Sequence, residues 1–342
     1  MLTRERLSDL LGQMSSLRIL VVGDLFLDRY LEIDRSLAEI SLETGLEAHQ
    51  VAEVRASPGA GGNVVANVRA LGPQVGVVSI IGDDGEGYVL RRCLEELDVD
   101  MSGLVVASDR FTPTYTKPMM HELDGRVHEL SRLDICNRTP TPARWERKAI
   151  EAFRELAAKA DGVLVADQVT GDELGVMTTG LREAVIDSAG SSPGKPHLVD
   201  SRMRVGLYRP LMLKPNAAEA LRALGREAED AVSLEEAGAI GVELARRGER
   251  TVFLTVGEKG TLVCDADHAE RVPAVPVRGE IDVVGAGDTT IAAIAASLCA
   301  GATPLEAASI GNLAASVTIQ CVGTTGTASP QQIMAAWERN LR

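Results

Sequence analysis

Short β-branched runs separated by stretches of helical length recur along most of this chain: RILVVG (18–23), VGVVSII (75–81), GVLVA (162–166), HLVD (197–200) and TVFLT (251–255). Runs that are apolar at nearly every position, rather than at alternate ones, suit strands covered on both faces. The amphipathic stretches between them, such as 86–97, 144–158 and 234–246, supply covering helices. The pattern predicts an α/β fold, doubly wound around a mostly parallel sheet. Two segments, 29–57 and 110–134, break the rhythm. They are polar and lean toward alternation, as in LEIDRS and AHQVAEVRA, which suits half-exposed antiparallel strands. They are expected to form one small β sheet off the main one, acting as a lid that excludes water, as a dimer surface, or as both.

Bulk properties narrow the function classes. A chain of 342 residues can bury a large core, and residues 1–342 read as a single domain carrying the two lid segments. Lys and Arg total 35 against 49 Asp and Glu, a formal charge of -14, which disfavours nucleic acid and anionic membranes as partners. An anionic ligand would therefore need local cations. The five cysteines are scattered without CxxC spacing, suggesting neither a disulfide framework nor a zinc site. The N-terminal MLTRERLSDLLGQMSS is amphipathic and unlike a secretory signal, and no uninterrupted apolar stretch is long enough to span a membrane. A cytoplasmic protein is expected.

The densest chemical signal is DVVGAGD (282–288), which runs directly into the small apolar TTIAAIAA (289–296). A glycine turn opening into a helix offers free backbone N–H groups and the positive end of the helix dipole to an anion. A carboxylate is out of place there unless it removes a proton from an attacking hydroxyl, so Asp288 points to phosphoryl transfer. Other segments are ambiguous on their residues alone. PGAGGNVVANVRALG (58–72) lets Gly59, Gly61 and Gly62 bring backbone close to a ligand, with Asn63 either capping the helix or binding a hydroxyl. It is neither a Walker loop nor a GxGxxG turn. Asp24 and Asp28 follow the first strand, where open α/β sheets place ligands, and Asp28 is either a hydroxyl acceptor or a cap. In KPNAAE (214–219), Asn216 and Glu219 have the spacing both of a magnesium-organising pair and of a capping box. TVGEKG (255–260) fits a hairpin as well as a nucleotide site.

Taken together, these segments resemble the ribokinase-like, or PfkB, family of carbohydrate kinases over nearly the whole chain. The C-terminal family signature is matched from Asp282 to Ala295. The N-terminal one keeps Asn63, Gly72 and Gly82 but has Ala60 where glycine is usual and Val65 where a small residue is usual. The resemblance implies Asp288 as general base and the Gly285, Ala286 and Gly287 amides as an anion hole. It implies sugar binding by Asp28, Gly61, Gly62 and Asn63, with Asn216 and Glu219 organising magnesium and phosphate through water. Thr255, Gly257 and Asn312 would line the nucleotide, and Asp282, Val284, Gly323 and Thr327 would hold a monovalent cation, potassium. ATP and Mg²⁺ are the implied cofactors, and a homodimer through the β lid the implied assembly.

Within the family, VVGDLFLDRY, TPTYTK, SRLD and KPNAAEA are most similar to kinases of D-glycero-β-D-manno-heptose 7-phosphate, which act at C1. The absence of an HxGH motif implies a kinase activity only. Two departures bear on the substrate. Thr170 replaces a lysine of those kinases, and Asp200-Ser201-Arg202 replaces Asp-Pro-Lys. Arg202, Arg204, Lys117 and Arg132 are the candidates for clamping a phosphate already on the sugar, each with ordinary surface charge as its alternative. The same chemistry on another sugar, or a non-catalytic sugar or nucleotide sensor, are the competing functions.

Overall fold

The computed structural model describes residues 2–227, 232–323 and 325–340. Nine strands form the main sheet, in the spatial order Ala269–Val272, Thr261–Cys264, Val252–Thr255, Met212–Leu213, His197–Ser201, Gly162–Asp167, Arg18–Gly23, Gln74–Gly82 and Asp100–Ala107. Every pairing from Val252–Thr255 to Asp100–Ala107 is parallel. The remaining two strands join as antiparallel hairpins. The first of these turns through Gly257 and Gly260, both at positive φ, so the 255–260 stretch is a hairpin as well as a wall of the cleft described below.

Burial on both faces explains the continuous apolar runs. In Arg18–Gly23, Ile19 and Val21 point to one layer while Leu20 and Val22 point to the other. The first layer contains the helices Arg4–Met14, Gly61–Leu71, Gly85–Glu96, Ala286–Cys299, Pro304–Thr318 and Pro330–Asn340, which contribute Leu10, Val65, Leu90, Ile294, Ile310 and Ile333 to the core. The second contains Ala143–Lys159, Thr179–Ser191, Ala217–Ala223 and Leu234–Gly248, contributing Phe153, Val185, Leu221 and Leu244. The doubly wound expectation holds. Ala286–Cys299 is deeply set: Thr289 to Ser297 are all buried, and its small side chains let Pro304–Thr318 pack closely alongside.

The two rhythm-breaking segments enter a separate five-stranded sheet, ordered Leu133–Ile135, Thr114–His121, Leu25–Asp34 and Val51–Ala60, with Val127–Glu129 paired to Thr114–His121. It begins at Leu25, immediately after the first core strand and earlier than the alternation suggested. Its central pairing, Leu25–Asp34 with Thr114–His121, is parallel rather than antiparallel, because the second strand arrives by a long crossover through the main sheet. Asp28 accordingly lies inside a strand and caps nothing. Among the described residues no helix is long and apolar enough to cross a membrane.

The junction between Val51–Ala60 and Gly61–Leu71 carries backbone strain. Ala60, where glycine is usual in the family, has φ 51° and ψ −120°, a conformation that glycine dominates because a Cβ crowds the neighbouring carbonyl. Ala60→Gly should relieve this strain and offset the added freedom of the unfolded chain, raising stability by about 1 kcal/mol, or Tm by about 2 °C. Thermal melts of the two proteins check this, and a lower Tm for the variant would contradict it.

Candidate active site

The C-terminal ends of the parallel strands face one way, and the chain leaves each of them with a polar residue: Asp24, Gln168, Arg202, Lys214 and Thr255. Most of these, with the loops 274–277 and 281–287, line a cavity of about 760 Å³. Asn216, Glu219, Gly257 and Asn312 line it too. Val275, Val277, Ile281 and Ile319 give one end apolar walls, while Asp200, Arg202, Lys214 and Glu219 make the other end charged. Volume and lining suit a planar ring at one end and phosphates at the other.

Asp288 stands in the first turn of Ala286–Cys299, which opens from Gly285 at φ 80°. The Ala286 amide donates to Val283 O at 3.2 Å and closes the turn, so the expectation that all three amides are free is corrected to two. Gly285 and Gly287 keep N–H groups with no acceptor among the described residues. Asn63 Nδ2 approaches Asp288 Oδ2 at 3.4 Å. Asn63 is thus no helix cap: Ala60 holds the N-cap position and makes no side-chain cap bond. Loss of surrounding water pushes the Asp288 carboxyl up to about 7, with Asp200 adding to the rise while Lys214, Asn63 and Arg202 oppose it.

Asn216 and Glu219 form a capping box, the Asn216 side chain accepting from the Glu219 N–H at 2.9 Å and Glu219 Oε2 accepting from the Asn216 N–H at 2.8 Å. Both line the cavity as well. Burial, with Asp200 nearby, raises the Glu219 carboxyl. Among the described residues no cluster of three or more His, Cys, Asp or Glu could hold a metal by itself. The residues present fit a Mg²⁺ held largely by phosphate oxygens and water, with Glu219 reached through water. Thr255 is tied to Pro215 O through its N–H at 2.9 Å and its hydroxyl at 3.3 Å.

Asn312 is fully engaged within the protein. Its carbonyl accepts from Thr261 Oγ1 at 2.8 Å, and its amide donates to Val272 O and Pro273 O at 3.0 and 3.1 Å. It therefore shapes the cleft wall by tying Pro304–Thr318 to the hairpin, and has no free donor for a ligand. In the expected cation loops, Asp282 Oδ1 accepts from the Val284 N–H at 3.0 Å and Oδ2 from the Gly323 N–H at 3.1 Å. Asp282, Val284 and Gly323 are therefore brought together. Thr327 is exposed and makes no hydrogen bond with them among the described residues.

The four phosphate-clamp candidates separate. Arg204 is a structural cation: its guanidinium pairs with the buried Asp167 and also reaches Val169 O, Thr170 O and Asp172. Arg132 pairs bidentately with Asp134 at 2.7 and 2.8 Å and stacks on Tyr115. Lys117 donates to Asp28 Oδ2 at 3.0 Å and Tyr30 OH at 3.1 Å. Each of these three candidates already has a carboxylate partner within the protein. Arg202 differs: its Nε donates at 2.8 Å to the neutral Gln168 Oε1, and it faces the cavity. Gln168 is placed by Asp24, whose buried carboxylate accepts from the N–H groups of Gln168, Val169 and Val176 at 2.7 to 2.9 Å. Asp28 Oδ1 is buried without a partner, beside Gly59, where any Cβ would stand 2.4 Å from it.

Three cleft residues escape the sequence patterns: Lys214, Asp200 and Gln168. Lys214 is 3% exposed and its Nζ lies 3.4 Å from Asp200 Oδ2. It heads the KPNAAE segment, of which the sequence reading used only Asn216 and Glu219.

A family comparison gives the class of this protein directly. Residues 17–332 match the model of the pfkB family carbohydrate kinases, and the chain belongs to that family. Among relatives, it is 34% identical to the bifunctional protein HldE of Citrifermentans bemidjiense over 97% of this chain, and 35% identical to HldE of Bradyrhizobium diazoefficiens over 92% of it. The chain spans 66% and 62% of the lengths of those two proteins. Its fold matches phosphofructokinase-2 from Escherichia coli in complex with potassium (TM-score 0.71, 19% identity, 95% of this chain and 100% of that one). It also matches Arabidopsis thaliana ribokinase complexed with ribose and ATP (TM-score 0.66, 18% identity, 94% and 98%).

Breaking a buried ion pair from one side typically costs about 3–5 kcal/mol. Arg204→Gln should therefore lower Tm by several degrees, whereas Arg202→Gln should leave it near that of the unaltered protein. Parallel melts test the separation, and equal losses would contradict it.

Proposed function

We propose that the protein is an ATP-dependent kinase that phosphorylates C1 of D-glycero-β-D-manno-heptose 7-phosphate. The observation carrying the reaction type is Asp288. A carboxylate titrating near neutrality stands beside two unpaired amides at a helix N-terminus, on a cleft large enough for a nucleotide. The heptose assignment rests on the motif resemblance, together with Arg202 as a cation that faces the cleft without a carboxylate partner.

ATP with Mg²⁺ would supply the phosphoryl group and neutralise its charge. Asp288 accepts the proton of the attacking hydroxyl, and Asn63 orients its carboxylate. Backbone donors at Gly285 and Gly287 meet negative charge on the transferring group. Asp28, buried with one unpaired oxygen, and the close-approach glycines Gly61 and Gly62 belong to the sugar side. Lys117 holds Asp28, and Arg132 stiffens the lid through Asp134. Asn216, Glu219, Thr255 and Gly257 belong to the nucleotide side. The Asp282–Gly323 loop pair would hold potassium and with it the anion turn, and a requirement for added K⁺ tests this. The separate sheet exposes Val51, Val54 and Leu133, supporting a homodimer through the lid. A Val54→Glu variant that sediments like the unaltered protein would sink that assembly.

Asp288→Asn should lower kcat by at least about 10³-fold while retaining ATP binding by calorimetry. In the unaltered enzyme, kcat should fall about tenfold per pH unit below pH 7, because the raised carboxyl takes up a proton and ceases to be a base. An acid limb below pH 5 would contradict this. Arg202→Gln should raise KM at least about tenfold for the sugar phosphate with little change in kcat. Turnover of unphosphorylated sugars alone would remove the heptose 7-phosphate assignment and leave the kinase.

A further inference from the structure

We propose that Asn67 and Thr289 are positioning residues for the transfer, acting together as a clamp that holds the Asn63 amide on the carboxylate of Asp288. The inference rests on the kinase reading above and extends it to two buried residues outside the cleft lining.

Asn67 lies one turn after Asn63 on Gly61–Leu71 and so on the same helix face. Around it that helix is apolar, with Val64, Val65, Val68 and Leu71 in the core, and Asn67 itself is 3% exposed. An amide buried in such surroundings is costly unless it is hydrogen-bonded. Both ends of this one are. Nδ2 donates to Asn63 O at 2.9 Å, and Oδ1 accepts from Thr289 Oγ1 at 2.9 Å. Thr289 directly follows Asp288 and is buried as well. Its neighbour Thr290 does what a helical threonine ordinarily does, donating its hydroxyl back to Ala286 O at 2.8 Å. Thr289 instead directs its hydroxyl across the interface to the other helix.

These contacts close a ring. Asn63 Nδ2 reaches Asp288 Oδ2 at 3.4 Å, the backbone joins Asp288 to Thr289, Thr289 reaches Asn67, and Asn67 returns to Asn63 O. Gly61–Leu71 and Ala286–Cys299 pack side by side, and one contact between them would leave each able to turn or slide against the other. Two contacts a turn apart fix both motions. The Asn63–Asp288 contact is the longer of the two, so its geometry depends on the shorter, buried one. With Oδ2 held, Asp288 Oδ1 accepts no hydrogen bond from the described residues and is left for the attacking hydroxyl. Displacing a reacting group by about 1 Å can cost about 10²-fold in rate.

The groups facing Asp288 are Asn63 on Gly61–Leu71, Asp200 and Arg202 at the end of His197–Ser201, and Lys214 after Met212–Leu213. Lost hydration and Asp200 raise the carboxyl, while Lys214, Asn63 and Arg202 oppose the rise. Loosening Asn63 therefore raises it further, an effect that a purely structural Asn67 would not have.

The test uses the full chain. Asn67→Ala should lower kcat about 10–10²-fold, leave KM for ATP unchanged and move the acid limb of kcat to higher pH. Thr289→Val, which removes the hydroxyl at nearly constant volume, should do the same. Thr289→Ser, which keeps the hydroxyl, should retain both kcat and the acid limb. In an Asn63→Ala background, Asn67→Ala should add little, because the bond it holds is already gone. An acid limb unmoved in Asn67→Ala and Thr289→Val, with only Tm lowered, would overturn the proposal, as would losses that multiply in full with Asn63→Ala. Should Asn67→Ala fail to fold, Thr289→Val leaves the interface filled and carries the test alone. Carbon-13 NMR titration of the Asp288 carboxyl in the same variants reads the shift without substrate. An unaltered protein that phosphorylates no sugar would defeat the kinase reading, and the NMR titration would still decide the clamp.

Discussion

A parallel sheet covered on both faces leaves little room for chemistry except at the ends of its strands. Residues 18–23, 162–167 and 197–201 are buried on both sides by the two helical layers, so a ligand meets the chain where each strand stops. The strands stop together because their pairing is in parallel register. Gln168, Arg202, Lys214 and Thr255 thereby reach one cleft from distant parts of the sequence. The Ala286–Cys299 helix, built of small side chains, sinks deep enough to bring Asp288 and the amides of its opening turn to the same place.

Burial also gives the cleft its electrostatics. Asp200, Glu219 and Asp288 surround Lys214, and lost hydration is the leading reason the carboxyls of Asp288 and Glu219 are raised. An Asp288 carboxyl raised to about 7 follows from that arrangement, since an exposed aspartate would titrate near 3.9. Asp24 illustrates the opposite use of a buried carboxylate. Burial and Asp167 raise it to about 6, but its oxygens accept three backbone N–H bonds and anchor the loop that carries Gln168. Two aspartates near strand ends thus differ in role through the partners around them.

Much of this was legible in advance where the signal was local. The continuous apolar runs announced the sheet, the alternating segments announced the second one, and DVVGAGD announced an anion turn with a carboxylate. Legibility failed where the deciding partner was remote. No local feature tells that Arg204 is committed to Asp167, while Arg202 meets only the amide of Gln168. Asn312 likewise looks like a free amide until Thr261, Val272 and Pro273 are placed around it. The Leu25–Asp34 strand could not be known to pair in parallel with Thr114–His121, since alternation reports how a strand is buried and says nothing of its partner's direction.

The amino-acid sequence by itself determined the fold class, the glycine turn with Asp288 and the family, because each depends on residue types at short, fixed spacing. Tertiary structure alone decided which cations are already paired, that Lys214 lines the cleft, and that burial raises the Asp288 carboxyl to about 7. Those properties depend on distances of a few ångströms between residues far apart in the chain and on the water that folding removes, neither of which any local pattern encodes.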